Sequence, residues 1–321
     1  MRTVLIGAAI ALTSAQTLVA RQAAGTPLTV LPVQGAVHLI AGAGANITVQ
    51  VGSKGTLLVD TPPAALAPQV MAEIRKLSPN PLRYIVNTSV DPAHVGGNAV
   101  LSTPPGARGG GAPFGFVGLG RPSIVAHESV LNRMANPPAG QPAMPGGSIP
   151  TTTYYLPYMD FSSNGEAIIL YHAPAAISDS DSIVMFRRSD VIVTGDVFTP
   201  DRYPAINLAQ GGSVAGLISA LNKVLELAVP EAFSEGGTKI IPGHGRISEE
   251  TDVAEYRDMI VIVRDRIQDQ IKKGRTLDQI KADRPSRDYD AEYGASREAA
   301  DRFVETIHRS LTARPAAGGR S

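Results

Sequence analysis

With 321 residues, 43% hydrophobic and 18% charged, the chain carries enough apolar material for one large domain or two small ones. Lys plus Arg equals Asp plus Glu at 29 each, which removes the usual electrostatic reason to expect nucleic acid or an anionic membrane as a partner. There is no cysteine, so disulfides, thiolate ligands and a cysteine nucleophile are excluded, and any metal must be held by His, Asp, Glu or backbone oxygen.

The N-terminus reads as an export signal. Arg2 gives a short positive start and residues 4–12 form an apolar run, too short for a bilayer span of about 20 residues. Cleavage after Ala20 fits a secretory signal peptide over 1–20, so the mature protein is expected outside the cytoplasm, periplasmic or secreted, with no membrane attachment.

Residues 28–33, 36–41, 46–52 and 56–60 are short β-prone runs separated by glycine-containing turns, the pattern of a meander. A helix follows with Pro68 in its first turn and Val70, Met71, Ile74 and Leu77 on one face; residues 82–86 then form a buried-type strand. Residues 102–122 and 136–150 are too rich in Gly and Pro for regular structure, and the first stretch, with Phe114 and Phe116, reads as disordered on composition, with a flap beside a cleft as the alternative. Between them lie a strand over 123–126 and a short helix over 128–134. Strands are expected over 167–171, 182–186, 191–194 and 239–241, and a helix over 214–227. Tyr256, Met259, Ile260, Val263, Ile267 and Ile271 then recur at helical spacing, with Gly274 as the stop. Thr276 and Gln279 form a capping box, Phe303, Val304, Ile307 and Leu311 a last helical stripe, and 313–321 a disordered tail. Strands followed by alternating strands and helices predict sheets covered by helices.

Six histidines are present, and two occupy strongly punctuated loops. Asn87-Thr88-Ser89-Val90-Asp91-Pro92-Ala93-His94-Val95-Gly96-Gly97-Asn98 follows one strand, and Ile241-Pro242-Gly243-His244-Gly245 ends another. Thr194-Gly195-Asp196 places an acid just past a third. Polar groups at several strand ends can converge at one sheet edge, and two His with one or two Asp suit zinc, iron or manganese. From the residues alone, a metal set and loop-stabilising hydrogen bonds both remain open.

The order of these segments resembles the metallo-β-lactamase superfamily over residues 30–250. Gly55-Thr56-Leu57-Leu58-Val59-Asp60-Thr61 resembles its early strand ending in Asp, and His94-Val95-Gly96-Gly97-Asn98 the end of its His-x-His-x-Asp-His-x-Gly-Gly loop. Ser178-Asp179-Ser180-Asp181-Ser182 resembles its Thr-Asp-Gly-Asp-Ser segment, Thr194-Gly195-Asp196 its bridging-acid loop, and Pro242-Gly243-His244-Gly245 its last metal loop. The resemblance implies an α/β (α+β) fold, a four-layer αβ/βα sandwich, here extended by C-terminal helices over 251–312. It also implies a depleted dinuclear site. The first metal's three histidines fall on Ser89, Asp91 and Ile177, so that position is expected empty; the second keeps His94, Asp196 and His244 and has Ala93 in place of its aspartate.

The expected cofactor is therefore one divalent metal, zinc, on His94, Asp196 and His244, with Asp91 as auxiliary ligand and catalytic carboxylate. The implied function is an exported mononuclear hydrolase that uses metal-bound water on an ester, amide or lactone bond of a small molecule. The alternative is a non-catalytic ligand-binding protein with a decayed site, in which His94 and His244 only hydrogen-bond to neighbours. Lesser candidates are a Ser89–His94–Asp196 nucleophilic set, a capping or cleft role for His127, and His172 facing the same pocket. His38 and His308 read as structural or exposed, and Asp60, Asp179 and Asp181 as loop hydrogen-bonders.

Overall fold

A computed structural model describes residues 27–103, 120–137, 144 and 147–313. The export signal, the Phe114 and Phe116 flap and the tail beyond Ala313 lie outside the described residues. Two sheets carry the fold. Strands β1 (Thr29–Gln34), β2 (Val37–Ala41), β3 (Ile47–Gly52), β4 (Gly55–Val59), β5 (Leu82–Val86), β6 (Ser123–His127) and β7 (Thr152–Tyr154) lie side by side in that order. The second sheet runs β12-β11-β10-β9-β8, from β8 (Tyr158–Ser163), β9 (Glu166–His172), β10 (Ser182–Phe186), β11 (Val191–Gly195) and β12 (Lys239–Pro242).

Strand alternation builds the layers. Leu57 and Val59 of β4 face the second sheet and pack with Val86, Val125, Leu170, Val184, Phe186 and Val193 in a core between the sheets. Leu58, one residue out of phase, points the other way with Ile47, Ile85 and Ile124 beneath Val70 and Ile74 of the helix Ala67–Leu77. On the outer face of the second sheet, Ile183, Ile192 and Ile240 meet the helices Val214–Leu227, Glu250–Lys272 and Arg297–Thr312. Helix, sheet, sheet, helix is the four-layer α/β sandwich expected from the sequence. The last layer is thick, because Tyr256, Met259, Ile260, Val263 and Ile267 of Glu250–Lys272 join one core with Phe303, Val304 and Ile307. Among the described residues no helix is long and apolar enough to cross a membrane.

The strands β7 and β8 and the one-turn helix Asp290–Tyr293 are not announced by the sequence. Both strands lie at sheet edges, and β8 alternates exposed Tyr158, Asp160 and Ser162 with half-buried Met159 and Phe161. An edge strand with one wet face has no continuous apolar run to mark it.

The parallel strands set the position of the site. β4, β5, β6 and β7 are mutually parallel, as are β11 and β12. Their C-terminal ends open on one edge, and the segments after β4, β5, β11 and β12 carry Asp60, His94, Asp196 and His244.

Candidate metal centre

Asp60 leaves β4 with φ +65°, a left-handed conformation, and is 1% exposed. Its Oδ1 accepts from the Thr88 amide at 2.8 Å; its Oδ2 accepts from the Thr88 hydroxyl at 2.7 Å and contacts His94 Nδ1 at 2.7 Å. The His94 ring, fully buried, is therefore held by one nitrogen and turns the other toward Asp196. Its backbone is fixed as firmly, since the His94 carbonyl accepts from the Thr61 amide at 2.9 Å and the Asn87 side chain at 3.1 Å. Asn98 donates to Asn87 Oδ1 at 2.8 Å and completes the cradle.

The second nitrogen meets the other two residues. His94 Nε2 lies 3.2 Å from Asp196 Oδ2, and His244 Nε2 lies 3.6 Å from Asp196 Oδ1. One donor atom from each of His94, Asp196 and His244 falls within 4.8 Å of the others. The loops that carry Asp196 and His244 are tied together by the Gly243 amide, which donates to the Gly195 carbonyl at 2.7 Å. Asn46, on the turn between β2 and β3, donates its side chain to the Pro242 and Gly245 carbonyls at 3.0 Å each. Glycine is required at 243, where a Cβ would stand 2.5 Å from Asp196 Oδ1.

The residues fit a metal ion. His94 Nε2 and Asp196 Oδ1 are buried and make no hydrogen bond; despite their proximity, His94 and Asp196 are not aligned to bond each other. Two ligand atoms on one tetrahedral zinc stand roughly 3.4 Å apart, given bonds of about 2.1 Å, and the 3.2 and 3.6 Å separations are of that order. Burial opposes a charge on His94, but Asp60 and then Asp196 outweigh it and hold its pKa well above the ordinary value. For Asp196, burial pushes the pKa up, yet His94 chiefly, then His244 and Arg202, bring it below the usual carboxylate range.

Asp91 is not brought into this group. It is exposed, and its Oδ1 accepts from the Ala93 amide at 2.8 Å as the N-cap of the short helix Pro92–Val95. It lines the cleft that Asp196 and His244 also line, with Ser89, Ile177, Asp181 and Arg202. The nucleophilic set fails on geometry, because both imidazole nitrogens of His94 face carboxylates and Ser89 Oγ accepts from the Asp91 amide at 3.2 Å. Ile177 lines the cleft where the resemblance asks for a histidine, and an alkyl side chain offers no ligand atom. Asp181 is the loop hydrogen-bonder expected, accepting from the Ser178 amide and hydroxyl, and burial pushes its carboxyl up to about 7.

His127 and His172 form a separate cluster. Their rings stack at 3.6 Å with planes 9° apart, and neither lines the cleft. His127 caps the helix Glu128–Ala135 by accepting from the Ser129 amide, and His172 Nε2 lies 2.9 Å from the Asp179 carbonyl. Arg133 grips the Asp179 carboxylate with two bonds of 2.7 and 2.6 Å. Burial first, then His172, lowers the His127 pKa to about 4. The folded protein therefore binds this proton more weakly than the unfolded chain, so stability is lost as pH falls from about 6.5 to about 4. His127→Phe keeps the stack and removes the proton site. It is expected to lower stability at pH 7 by about 1 kcal/mol, the value of a lost cap, and to flatten the acid-side decline in urea midpoints. An unchanged slope in the variant would place the titrating group elsewhere.

No family model matches the chain, and no curated protein does. Solved structures do. The sec-alkylsulfatase Pisa1 from Pseudomonas sp. superposes with a TM-score of 0.65 at 17% identity, over 91% of this chain and 51% of the sulfatase. A metallo-β-lactamase from Pontibacter korlensis superposes with a TM-score of 0.56 at 13% identity, over 73% of this chain and 99% of the enzyme. The chain thus spans about half the length of the sulfatase and nearly all of the lactamase. Its fold is the metallo-β-lactamase fold, in agreement with the resemblance read from the five sequence segments.

Proposed function

We propose that the cleft is a hydrolytic centre built around a single divalent ion, zinc, held by His94, Asp196 and His244, in a protein exported to the periplasm or beyond. The observation that carries this reading is the pair of buried, unpartnered atoms, His94 Nε2 and Asp196 Oδ1, beside the His244 imidazole. Hydrolase-like neighbours of the same fold support it. The substrate is a small molecule with an ester, amide or lactone bond. Water's oxygen becomes attached to the acyl carbon, the acyl–oxygen or acyl–nitrogen bond breaks, and water's proton ends on the leaving group.

A divalent ion at this point supplies Lewis acidity, which polarises a substrate oxygen and lowers the pKa of water to roughly 7. The protein supplies the rest. Asp60 fixes the His94 ring so that Nε2 points at Asp196, which lines the cleft. Asp181 lines the cleft, and in the metal-free protein burial pushes its carboxyl up to about 7, which suits a group that takes up and returns a proton. Arg202 is, among the described residues that line the cleft, the one basic side chain besides His244 and suits an oxygen that gains negative charge. Asp91 stands at the same wall as a second proton acceptor.

In metal-free protein the raised pKa of His94 keeps its imidazole protonated near neutrality. Ligation at Nε2 must expel that proton, so binding is expected to release about one proton and to tighten about tenfold per pH unit below that pKa. Calorimetric zinc titration in buffers of different ionisation enthalpy measures the release. Purified protein is expected to carry one metal ion per chain. If it holds no zinc, iron or manganese, and a chelator changes neither its stability nor any activity, the reading is wrong.

A second reading is favoured by Ser89, Asp91 and Ile177 at the other metal position and by the two carboxylates that already flank His94. Under it the protein binds a small molecule in the cleft without turning it over.

A further inference from the structure

The cleft does not end at the metal centre. Arg202, Tyr203, Ala205 and Asn207 line it on one side and on the other line a second, larger hollow of about 1020 Å³. This groove runs between the loop 202–209 and the helix Arg297–Thr312, the C-terminal layer added to the sandwich. Its floor is apolar and firm: Tyr203 stacks on Phe303 at 4.3 Å and 13°, and both are nearly buried. The Tyr203 hydroxyl is tied to Asp290 at 2.9 Å and does not depend on a ligand for a partner.

Its charge is one-sided. In a chain of equal acidic and basic content, the groove is lined among the described residues by Arg202, Arg302 and Arg309 and by no carboxylate. Arg202 is paired to its neighbour Asp201 at 2.9 Å. Arg302 pairs with no acid among the described residues, and the nearest acid to Arg309 is Glu305 at 3.7 Å, which Lys281 already holds at 2.6 Å. Arg302, Thr306 and Arg309 stand at i, i+4 and i+7, so they share one face of the helix over roughly 10 Å. An apolar floor with Arg302 unpaired among the described residues and Arg309 held only by a 3.7 Å contact to a shared carboxylate fits an anion attached to a hydrophobic body.

We propose that this groove holds the apolar, anion-bearing arm of the substrate whose hydrolysable bond lies in the cleft. The substrate is then an anionic amphiphile, with a chain or ring against Tyr203 and Phe303 and a carboxylate or similar anion at Arg302 and Arg309. This rests on the hydrolytic reading for the fate of the bond, but binding of the arm does not require the metal.

The test uses decanoate below its micellar concentration, titrated calorimetrically into the full chain after metal removal, so that zinc cannot capture the carboxylate. One decanoate per chain is expected, with decyltrimethylammonium at least tenfold weaker. Arg302→Gln combined with Arg309→Gln is expected to weaken decanoate at least tenfold, and so is Thr306→Glu, which adds an acid to the same exposed face without removing an arginine. No decanoate binding, equal binding of the cationic chain, or unchanged affinity in both variants would overturn the proposal. If decanoate binds as expected while zinc does not, the groove stands and the hydrolytic reading falls. If zinc binds and an ester is cleaved while decanoate finds no site, the reverse holds.

Discussion

His244→Ala is expected to strip the metal and abolish hydrolysis while leaving the fold almost untouched. The reason lies in how the loop is held. Its backbone is fixed by Asn46, which donates to the carbonyls of Pro242 and Gly245, and by the Gly243 amide on Gly195; the imidazole takes no part in any of these bonds. The side chain is 25% exposed, so its truncation leaves no sealed cavity, and such a change alters stability by about 0.5 kcal/mol or less. The metal pays far more. A four-ligand zinc site binds with about 10–16 kcal/mol, roughly 3 kcal/mol per ligand, so losing one weakens binding on the order of 10²-fold. Metal content after dialysis, thermal midpoint and turnover should be measured together. Retained turnover in the metal-free variant would remove the basis for a metal-dependent mechanism, and wild-type protein without turnover on any ester or amide would favour the ligand-binding reading.

His94→Ala would be a poorer test of the same idea. The His94 ring is fully buried between Asp60 and Asp196, and its loss leaves two carboxylates facing each other across a void. Breaking a buried charge pair in this way costs about 3–5 kcal/mol. A variant that unfolds cannot report on ligation.

The sequence shows the sandwich because its core strands are continuous apolar runs and its C-terminal helices keep strict periodicity. It shows His94, Asp196 and His244 because histidine is scarce and each residue follows a strand within a glycine-marked loop. It conceals the residues that hold those three. Asp60 sits at a strand end where an acid ordinarily serves a turn, and its partner His94 is 34 residues away, reached through the parallel neighbour β5. Asn46 acts on carbonyls 196 and 199 residues distant. The contact between His127 and His172 likewise depends on how the two sheets meet, which no local pattern encodes. Asp91 is the opposite case. Asp91-Pro92 is also the signature of an N-cap followed by proline at the first helical position, and that local rule is the one the structure follows.

Asp60→Asn is expected to cost the metal-free protein about 3–5 kcal/mol, the range for breaking a buried ion pair. Asparagine is the substitution of choice, because residue 60 has φ +65°, and Asn tolerates the left-handed region better than most residues. The variant thus tests the charge without adding backbone strain. One carboxylate serves three contacts here, with the Thr88 amide, the Thr88 hydroxyl and His94 Nδ1. The amide that replaces it turns a donor toward one of them. The pH dependence identifies the cause. Because the folded-state pKa of His94 is raised, the stability it contributes is complete below its unfolded value near 6.5 and fades as pH rises through the raised value. The deficit of the variant should therefore be largest at pH 6 and shrink toward pH 9, a trend that urea unfolding at the two values can read. Metal affinity should fall by roughly 10–100-fold, as when a partner behind a ligating histidine is removed. A deficit of equal size at both pH values, with zinc affinity unchanged, would mean that Asp60 braces the Thr88 loop alone and leaves His94 to orient itself.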